Sequence, residues 1–330
     1  MRGIGMAEPR ICIVGAGHLS TNRIYPYVGA AGGVLAGVCD LDRSKAERNA
    51  RRWGGAVYTE LGEMLDAEAP DGVIICIGPE AHAELAPVVM RRGIPVYTEK
   101  PPAPTAAAAL EVARVSKQTG VLCSTGFKKR YAAAYVRAKE WIATLPPDSL
   151  QAISVVRGSG RYSNADPRHE LLLDFEIHVI DLVQYLMGDV DEVFAMTREG
   201  HAWSISLRFA NGAVGSLSAA DGRSFQIPTE EVEITAEGGN FMSIHNSSCW
   251  RITRDGQPCE WREPPTFASS GDSGNDTGHL AELADFVGAV REGRTTRSNI
   301  YESYKSMALY EAIKQSAASD RPVSVAYEQV

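Results

Sequence analysis

The chain has 330 residues, 44% of them hydrophobic and 22% charged, and a formal net charge of −8. Such a chain can bury a full core and is long enough for two domains. Its mild negative balance, without any long acidic or basic block, argues against nucleic-acid binding and for a small-molecule partner. No apolar stretch approaches the roughly 20 residues that span a bilayer, and residues 1–9 lack the apolar core of a secretory signal, so no membrane partner and a cytoplasmic location are expected.

From residue 10 to about 125, short apolar runs at 10–14, 34–39, 73–77, 94–98 and 121–125 alternate with helix-forming stretches at 43–53, 81–92 and 105–118. This is the rhythm of βαβ units in a doubly wound parallel sheet. After Phe127 the texture changes. A helix over 132–143 is followed by Pro146-Pro147 and then by strand-like runs at 151–157, 192–199, 202–209, 213–219, 231–236, 241–245, 249–254 and 259–262. Asn211-Gly212, Gly238-Gly239 and Asp255-Gly256 supply the turns between several of them. Helices over 279–290 and 301–318 close the chain, after a Ser-, Gly- and Asp-rich loop at 264–277. The expectation is an α/β protein with a parallel-sheet domain over 1–127 and a mostly antiparallel α+β domain over 128–330. Cys12, Cys39, Cys76 and Cys123 sit in or beside apolar runs and read as small hydrophobes. Cys249 and Cys259 flank Asp255-Gly256, a spacing that allows them to face each other across a hairpin, and no disulfide is expected in this compartment.

The first strand ends in Gly15-Ala16-Gly17-His18-Leu19-Ser20, the turn that carries a dinucleotide pyrophosphate in parallel α/β sheets. Gly15 permits the tight turn and Gly17 lets backbone approach the phosphates, while Ser20 stands where a third glycine is usual. Asp40 ends the second strand at the distance expected for a ribose-binding carboxylate. A carboxylate there repels a 2′-phosphate and favours NAD over NADP, with Arg43 acting in the opposite sense. Lys100, in Glu99-Lys100-Pro101, ends the strand at 94–98 and is placed on the sheet edge where ligands lie.

Together with the loop Ile77-Gly78-Pro79 and His82, these motifs make the chain resemble the Gfo/Idh/MocA oxidoreductases over nearly its whole length. The resemblance implies a Rossmann domain, a second domain with an open, largely antiparallel sheet, and pyridine-nucleotide oxidation of a ring hydroxyl on a sugar or cyclitol. It also implies that Ile77, Gly78, His82 and Glu99 join Gly15, Ala16, Gly17, His18, Leu19, Asp40 and Lys100 around the cofactor. The family's second signature, Asp-x-x-x-His-x-x-Asp on a helix, is matched by Asp174, His178 and Asp181. Departures are Glu176, where glycine is frequent, and Arg168-His169-Glu170 upstream. By resemblance, Lys100 and His178 are the principal catalytic residues with Asp174 beside them, while Lys128 and His279 match substrate-side positions.

At about 100° per residue, Asp174, His178, Asp181 and Tyr185 fall in a stripe roughly 40 to 60° wide on an otherwise apolar helix beginning near Leu173. Removing a hydroxyl proton while hydride leaves the same carbon needs a base, and either Lys100 or His178 suits. Asp174 would orient the substrate or polarise the histidine. Arg157, Ser159 and Arg161, with Lys128, suggest an anionic or oxygen-rich sugar. The Asp174–His178 spacing also suits a metal, although no further His or Cys cluster accompanies it and no metal is expected. Two other readings stay open: a glycosidase using NAD for transient oxidation, and a non-catalytic nucleotide-binding sensor. A homodimer or homotetramer through the exposed face of the second sheet is expected by analogy.

Overall fold

The computed structural model describes residues 7–146, 148–160, 170–224, 229–263 and 274–330. Two units are distinguished: residues Met1–Phe127 with His279–Tyr304 and Val330, and residues Lys128–Gly278 with Lys305–Gln329.

The first unit holds six strands, β1 (Arg10–Val14), β2 (Val34–Cys39), β3 (Ala56–Tyr58), β4 (Gly72–Ile75), β5 (Val96–Thr98) and β6 (Cys123–Thr125). All pairs are parallel and the order is β3-β2-β1-β4-β5-β6. Ile11, Cys12, Ile13, Val73, Ile74 and Ile75 are wholly buried, because helices cover both faces of such a sheet. Strand order reverses between β1 and β4, and the crevice beyond their carboxyl ends is the place for a ligand. The short β3 and the helix Leu61–Glu68 are additions to the expected pattern.

Residues 279–304, expected in the second domain of 128–330, group with the first unit. Helix His279–Glu292 drives Leu283, Phe286 and Val287 into the core around Ile11, Ile13, Ile74 and Tyr97. The next segment then pairs with the open edge of β6: Thr125 N–H donates to the Ser298 carbonyl at 2.8 Å, and Ser298 Oγ donates to the Thr125 carbonyl at 2.7 Å. An edge strand leaves backbone groups unpaired, and this segment satisfies them.

The second unit is built on a nine-stranded sheet of β7 (Leu150–Gly160), β8 (Val190–Arg198), β9 (Ala202–Phe209), β10 (Val214–Arg223), β11 (Thr229–Ala236), β12 (Asn240–His245), β13 (Cys249–Arg254), β14 (Gln257–Arg262) and β15 (Val323–Ser324). The order is β14-β13-β12-β11-β7-β10-β9-β8-β15, antiparallel except for β7 with β10. One face buries Ile153, Val155, Ile205, Leu217, Val232 and Ile234. The other carries Val156, Ser218, Ser204 and Met196 in register across four strands. Cys249 and Cys259 do not face each other. Cys249 pairs with His245 on β12, a bulge between Ile252 and Thr253 displaces β14, and both thiols are free. Among the described residues no helix is long and apolar enough to cross a membrane.

Candidate active site

The dinucleotide turn is built so that only glycine fits at its first position. Gly15 has φ +104°, and a Cβ there would lie 2.2 Å from the Cys76 carbonyl oxygen. At Gly17 a Cβ would meet nothing within 4 Å, which leaves open space above the backbone for a ligand. Gly17 caps helix His18–Arg23 without any side-chain cap, and His18 and Leu19 of its first turn are exposed. Ser20 replaces the third glycine without a packing fault, because it is fully buried and its hydroxyl donates to the Gly17 carbonyl at 3.2 Å. Asp40 holds this turn: its Oδ2 accepts the Ala16 N–H at 2.7 Å and its Oδ1 the Asp42 N–H at 2.9 Å. Each carboxylate oxygen keeps a lone pair for a ribose hydroxyl. The cradle fits a dinucleotide.

His82 and Glu99, expected around the cofactor, are both buried and hydrogen-bonded within the loops that carry them. His82 is 1% exposed and both ring nitrogens are spent. Its Nε2 accepts the Ile77 N–H at 3.2 Å and Nδ1 donates to the Pro101 carbonyl at 2.9 Å, the tautomer that these two partners require. Burial lowers its pKa to about 4, so the ring is neutral. It ties the Ile77-Gly78 loop to the Glu99-Lys100-Pro101 loop and leaves Ile77 exposed at the edge. Glu99 is buried, accepting the Lys100 N–H on Oε2 at 3.1 Å and the Tyr97 hydroxyl on Oε1 at 3.3 Å. Lys100 is half-buried and the Lys100–Pro101 peptide is cis. His279, expected on the substrate side, lies buried in this same unit on helix His279–Glu292.

In the second unit the polar stripe divides in two. Leu172–Glu176 forms a π-helical turn before helix Ile177–Met187, so even 100° spacing does not hold across it. Asp174 and His178 are half-buried, and Asp174 Oδ2 accepts the Glu170 N–H at 3.1 Å. Asp181 is wholly buried and structural: Arg130 reaches it through Nε at 2.9 Å and Nη2 at 2.7 Å, and Ser306 Oγ donates at 2.8 Å. Tyr185 lies under the Arg130 guanidinium, 5.0 Å from its ring centroid.

Sequence reasoning missed the ion network behind this turn. Lys129 and Arg157 both bind Glu230, the second at 3.3 Å, and Arg157 also binds Glu176. Tyr135 and Ser247 donate to Glu230 Oε1 at 2.5 and 2.8 Å. Burial alone would raise the Glu230 pKa, but Lys129 and Arg157 overcome it and hold the carboxyl at about 2. Arg157 is therefore spent inside the protein, which corrects its expected role in attracting an anionic substrate. Of the basic run, only Lys128 is half-exposed while Lys129 and Arg130 are buried. Ser159 is 3% exposed and its hydroxyl has no partner among the described residues. Arg161, Arg168 and His169 lie outside the described residues. Period-2 alternation in β11, which puts Glu230 in phase with the buried Val232 and Ile234, was the available signal for this network.

The chain matches the model of the oxidoreductase family's NAD-binding Rossmann fold over residues 9–127 and that of the family's C-terminal alpha/beta domain over 170–325. It is 25% identical to a 4-carboxy-2-hydroxymuconate-6-semialdehyde dehydrogenase from Sphingobium, over 88% of this chain and 93% of that protein. It is 24% identical to an inositol 2-dehydrogenase from Streptomyces avermitilis, over 92% and 90%. In fold it is similar to an oxidoreductase from Agrobacterium radiobacter solved with NAD+, L-tartaric acid and magnesium, with a TM-score of 0.86 at 17% identity over 96% of this chain and 98% of that one. A glycine cradle that admits only Gly15, closed by Asp40 and followed by Glu99-Lys100-Pro101 on the same sheet edge, agrees with these matches: the chain belongs to the Gfo/Idh/MocA family of NAD-binding oxidoreductases.

Proposed function

We propose that this protein is an NAD-dependent dehydrogenase that oxidises a ring hydroxyl of an uncharged sugar or cyclitol. The observation that carries the reading is Lys100, half-buried on the sheet edge that also presents the Gly15–Gly17 cradle and Asp40. Bound NAD supplies the hydride acceptor. Lys100 takes the hydroxyl proton on Nζ as the C–H bond breaks. His178 and Asp174, one helical turn apart, hold the substrate oxygens, with Lys128, Ser159 and His279 as further substrate contacts. Internal neutralisation of Arg157 by Glu176 and Glu230 supports an uncharged polyol over an acid. The inositol dehydrogenase relative, by its name, points to the same class.

The test is NADH formation with a panel of inositols, aldoses and sugar acids, using NAD and NADP. Neutral polyols should turn over best with NAD, and Lys100→Ala should lose most turnover while still binding NADH. Cleavage of glycosides without net NADH would replace this reading with the glycosidase one. We further propose a cytoplasmic homo-oligomer formed through the outer sheet face, where Val156, Met196 and Val214 are 43%, 54% and 55% exposed. Sedimentation of Met196→Asp should then show a smaller species than the parent.

A further inference from the structure

Behind the turn that carries Asp174 and His178 runs a chain of buried charges that ends at a second turn, the one that carries Lys128. All of it lies in the second unit. Glu176 stands two residues from Asp174 and two from His178, so it points to the other side of the turn, and it is 1% exposed where they are half-buried. Arg157 on β7 grips the turn from that side: its Nη1 donates to Glu176 Oε1, and its guanidinium lies 5.8 Å from the Phe175 ring centroid. The Nε of the same guanidinium lies 3.3 Å from Glu230 Oε2 on β11. Glu230 Oε1 in turn accepts from Lys129 Nζ at 2.5 Å, Tyr135 Oη at 2.5 Å and Ser247 Oγ at 2.8 Å. Lys129 is the neighbour of Lys128 in the short helical turn Lys128–Tyr131.

Stability alone does not call for this arrangement, because a buried ion pair is seldom more stabilising than apolar residues of the same volume. What it adds is direction, since each carboxylate oxygen must meet its own donor. The four charges balance, two cations against two anions, and none of their side chains is more than 14% exposed. Withdrawing one member leaves its neighbour's charge buried and unanswered, so the members hold their places together. Arg130, next in the chain, makes a separate tie: it holds Asp181, about one turn beyond His178, through Nε at 2.9 Å and Nη2 at 2.7 Å.

We propose that Glu230 is a positioning residue for the substrate-side groups: through Lys129 on one side and Arg157 with Glu176 on the other, it joins the turn of Lys128 to the turn of Asp174 and His178 and sets the two as one piece. This rests on the reading of Lys128, Asp174 and His178 as groups that hold the substrate. Glu230 acts through these neighbours and takes no proton in the reaction.

The first test needs no substrate. Hydrogen exchange of the full-length protein is followed by mass spectrometry in the parent, Lys129→Met, Glu176→Gln and Glu230→Gln. Among the described residues Lys129 has no hydrogen bond or ion pair to 172–178. Even so, Lys129→Met should speed exchange there about fivefold or more, Glu176→Gln should do the same at 128–131, and Glu230→Gln should loosen both. Segment 179–187, still held by Arg130, and strand 190–198 should keep their parent rates. With a responding polyol, Lys129→Met and Glu176→Gln should each lower kcat/KM about tenfold, and together no more than the worse of the two, because both cut one path. Unchanged exchange at 172–178 in Lys129→Met overturns the proposal, as does loosening that spreads equally to 190–198, or turnover losses that multiply. If Lys129→Met does not fold, Tyr135→Phe takes only one hydrogen bond from Glu230. It should loosen both turns by a smaller factor, and a change in one turn alone, or in neither, overturns the proposal. His178→Ala separates the two layers. Near-normal turnover there removes the substrate reading and leaves the exchange result standing, whereas an inactive His178→Ala with uncoupled exchange removes only the role of Glu230.

Discussion

Acidification should loosen the cofactor loops through one imidazole. His82 Nε2 accepts the Ile77 N–H at 3.2 Å and Nδ1 donates to the Pro101 carbonyl at 2.9 Å. Protonation would set an N–H against the Ile77 N–H, donor against donor, in a place that is 1% exposed. Burial, with Lys100 adding to it against the Pro101 hydrogen bond, lowers the pKa from 6.5 to about 4. The folded value lies below the unfolded one, so the unfolded chain takes up the proton first. The stabilisation is therefore complete above about pH 6.5 and is lost as pH falls toward 4. A difference of about 2.5 units at 1.36 kcal/mol each amounts to about 3 kcal/mol in full, of which about 2 kcal/mol is gone at pH 5. His82→Gln keeps one donor and one acceptor but cannot titrate, so it should flatten this part of the profile. His82→Leu leaves a buried N–H and a buried carbonyl unpaired, at a cost of about 2–6 kcal/mol. Exchange of the Ile77 amide, corrected for its intrinsic pH dependence, and NMR titration of the ring measure the effect locally. An imidazole that titrates near 6.5, or the same Ile77 protection profile in His82→Gln and the parent, would refute the reasoning.

Three further outcomes are expected. Gly15→Ala forces a Cβ to 2.2 Å from the Cys76 carbonyl at φ +104° and should unfold the turn, whereas Gly17→Ala meets no atom and should leave Tm unchanged while weakening NADH binding about tenfold or more by calorimetry. Arg130→Met strands the wholly buried Asp181 and should lose about 3–5 kcal/mol in urea unfolding, most of it regained in Arg130→Met with Asp181→Leu. Glu176→Gln takes one of two carboxylates from Arg157 and should lower stability by about 1–3 kcal/mol; an unchanged midpoint would show that Glu230 alone suffices.

What could be read in advance lay close together along the chain. Gly15, Gly17 and Asp40 belong to one βαβ unit, and their spacing states the geometry of the turn. The same holds for Glu99-Lys100-Pro101 at a strand end. Misreadings arose where a side chain's partner is remote. Arg157 looked available for a substrate until Glu176 and Glu230 claimed it, and Asp181 looked like part of a reactive edge until Arg130 and Ser306 enclosed it. The clamp that His82 makes could not be read in advance, since only the fold brings the Pro101 carbonyl to its ring.

By itself the sequence determined the parallel-sheet domain, the dinucleotide turn with its carboxylate, and the places along the chain of most strands in the second sheet. Each depends on backbone conformations and burial periods that nearby residues set. Tertiary structure decided that 279–304 completes the first unit, that a π-turn separates Asp174 from regular helical spacing, and which charges are neutralised inside. Those outcomes depend on which distant residue supplies the missing hydrogen bond or counter-charge, and burial makes an unanswered one too costly to keep.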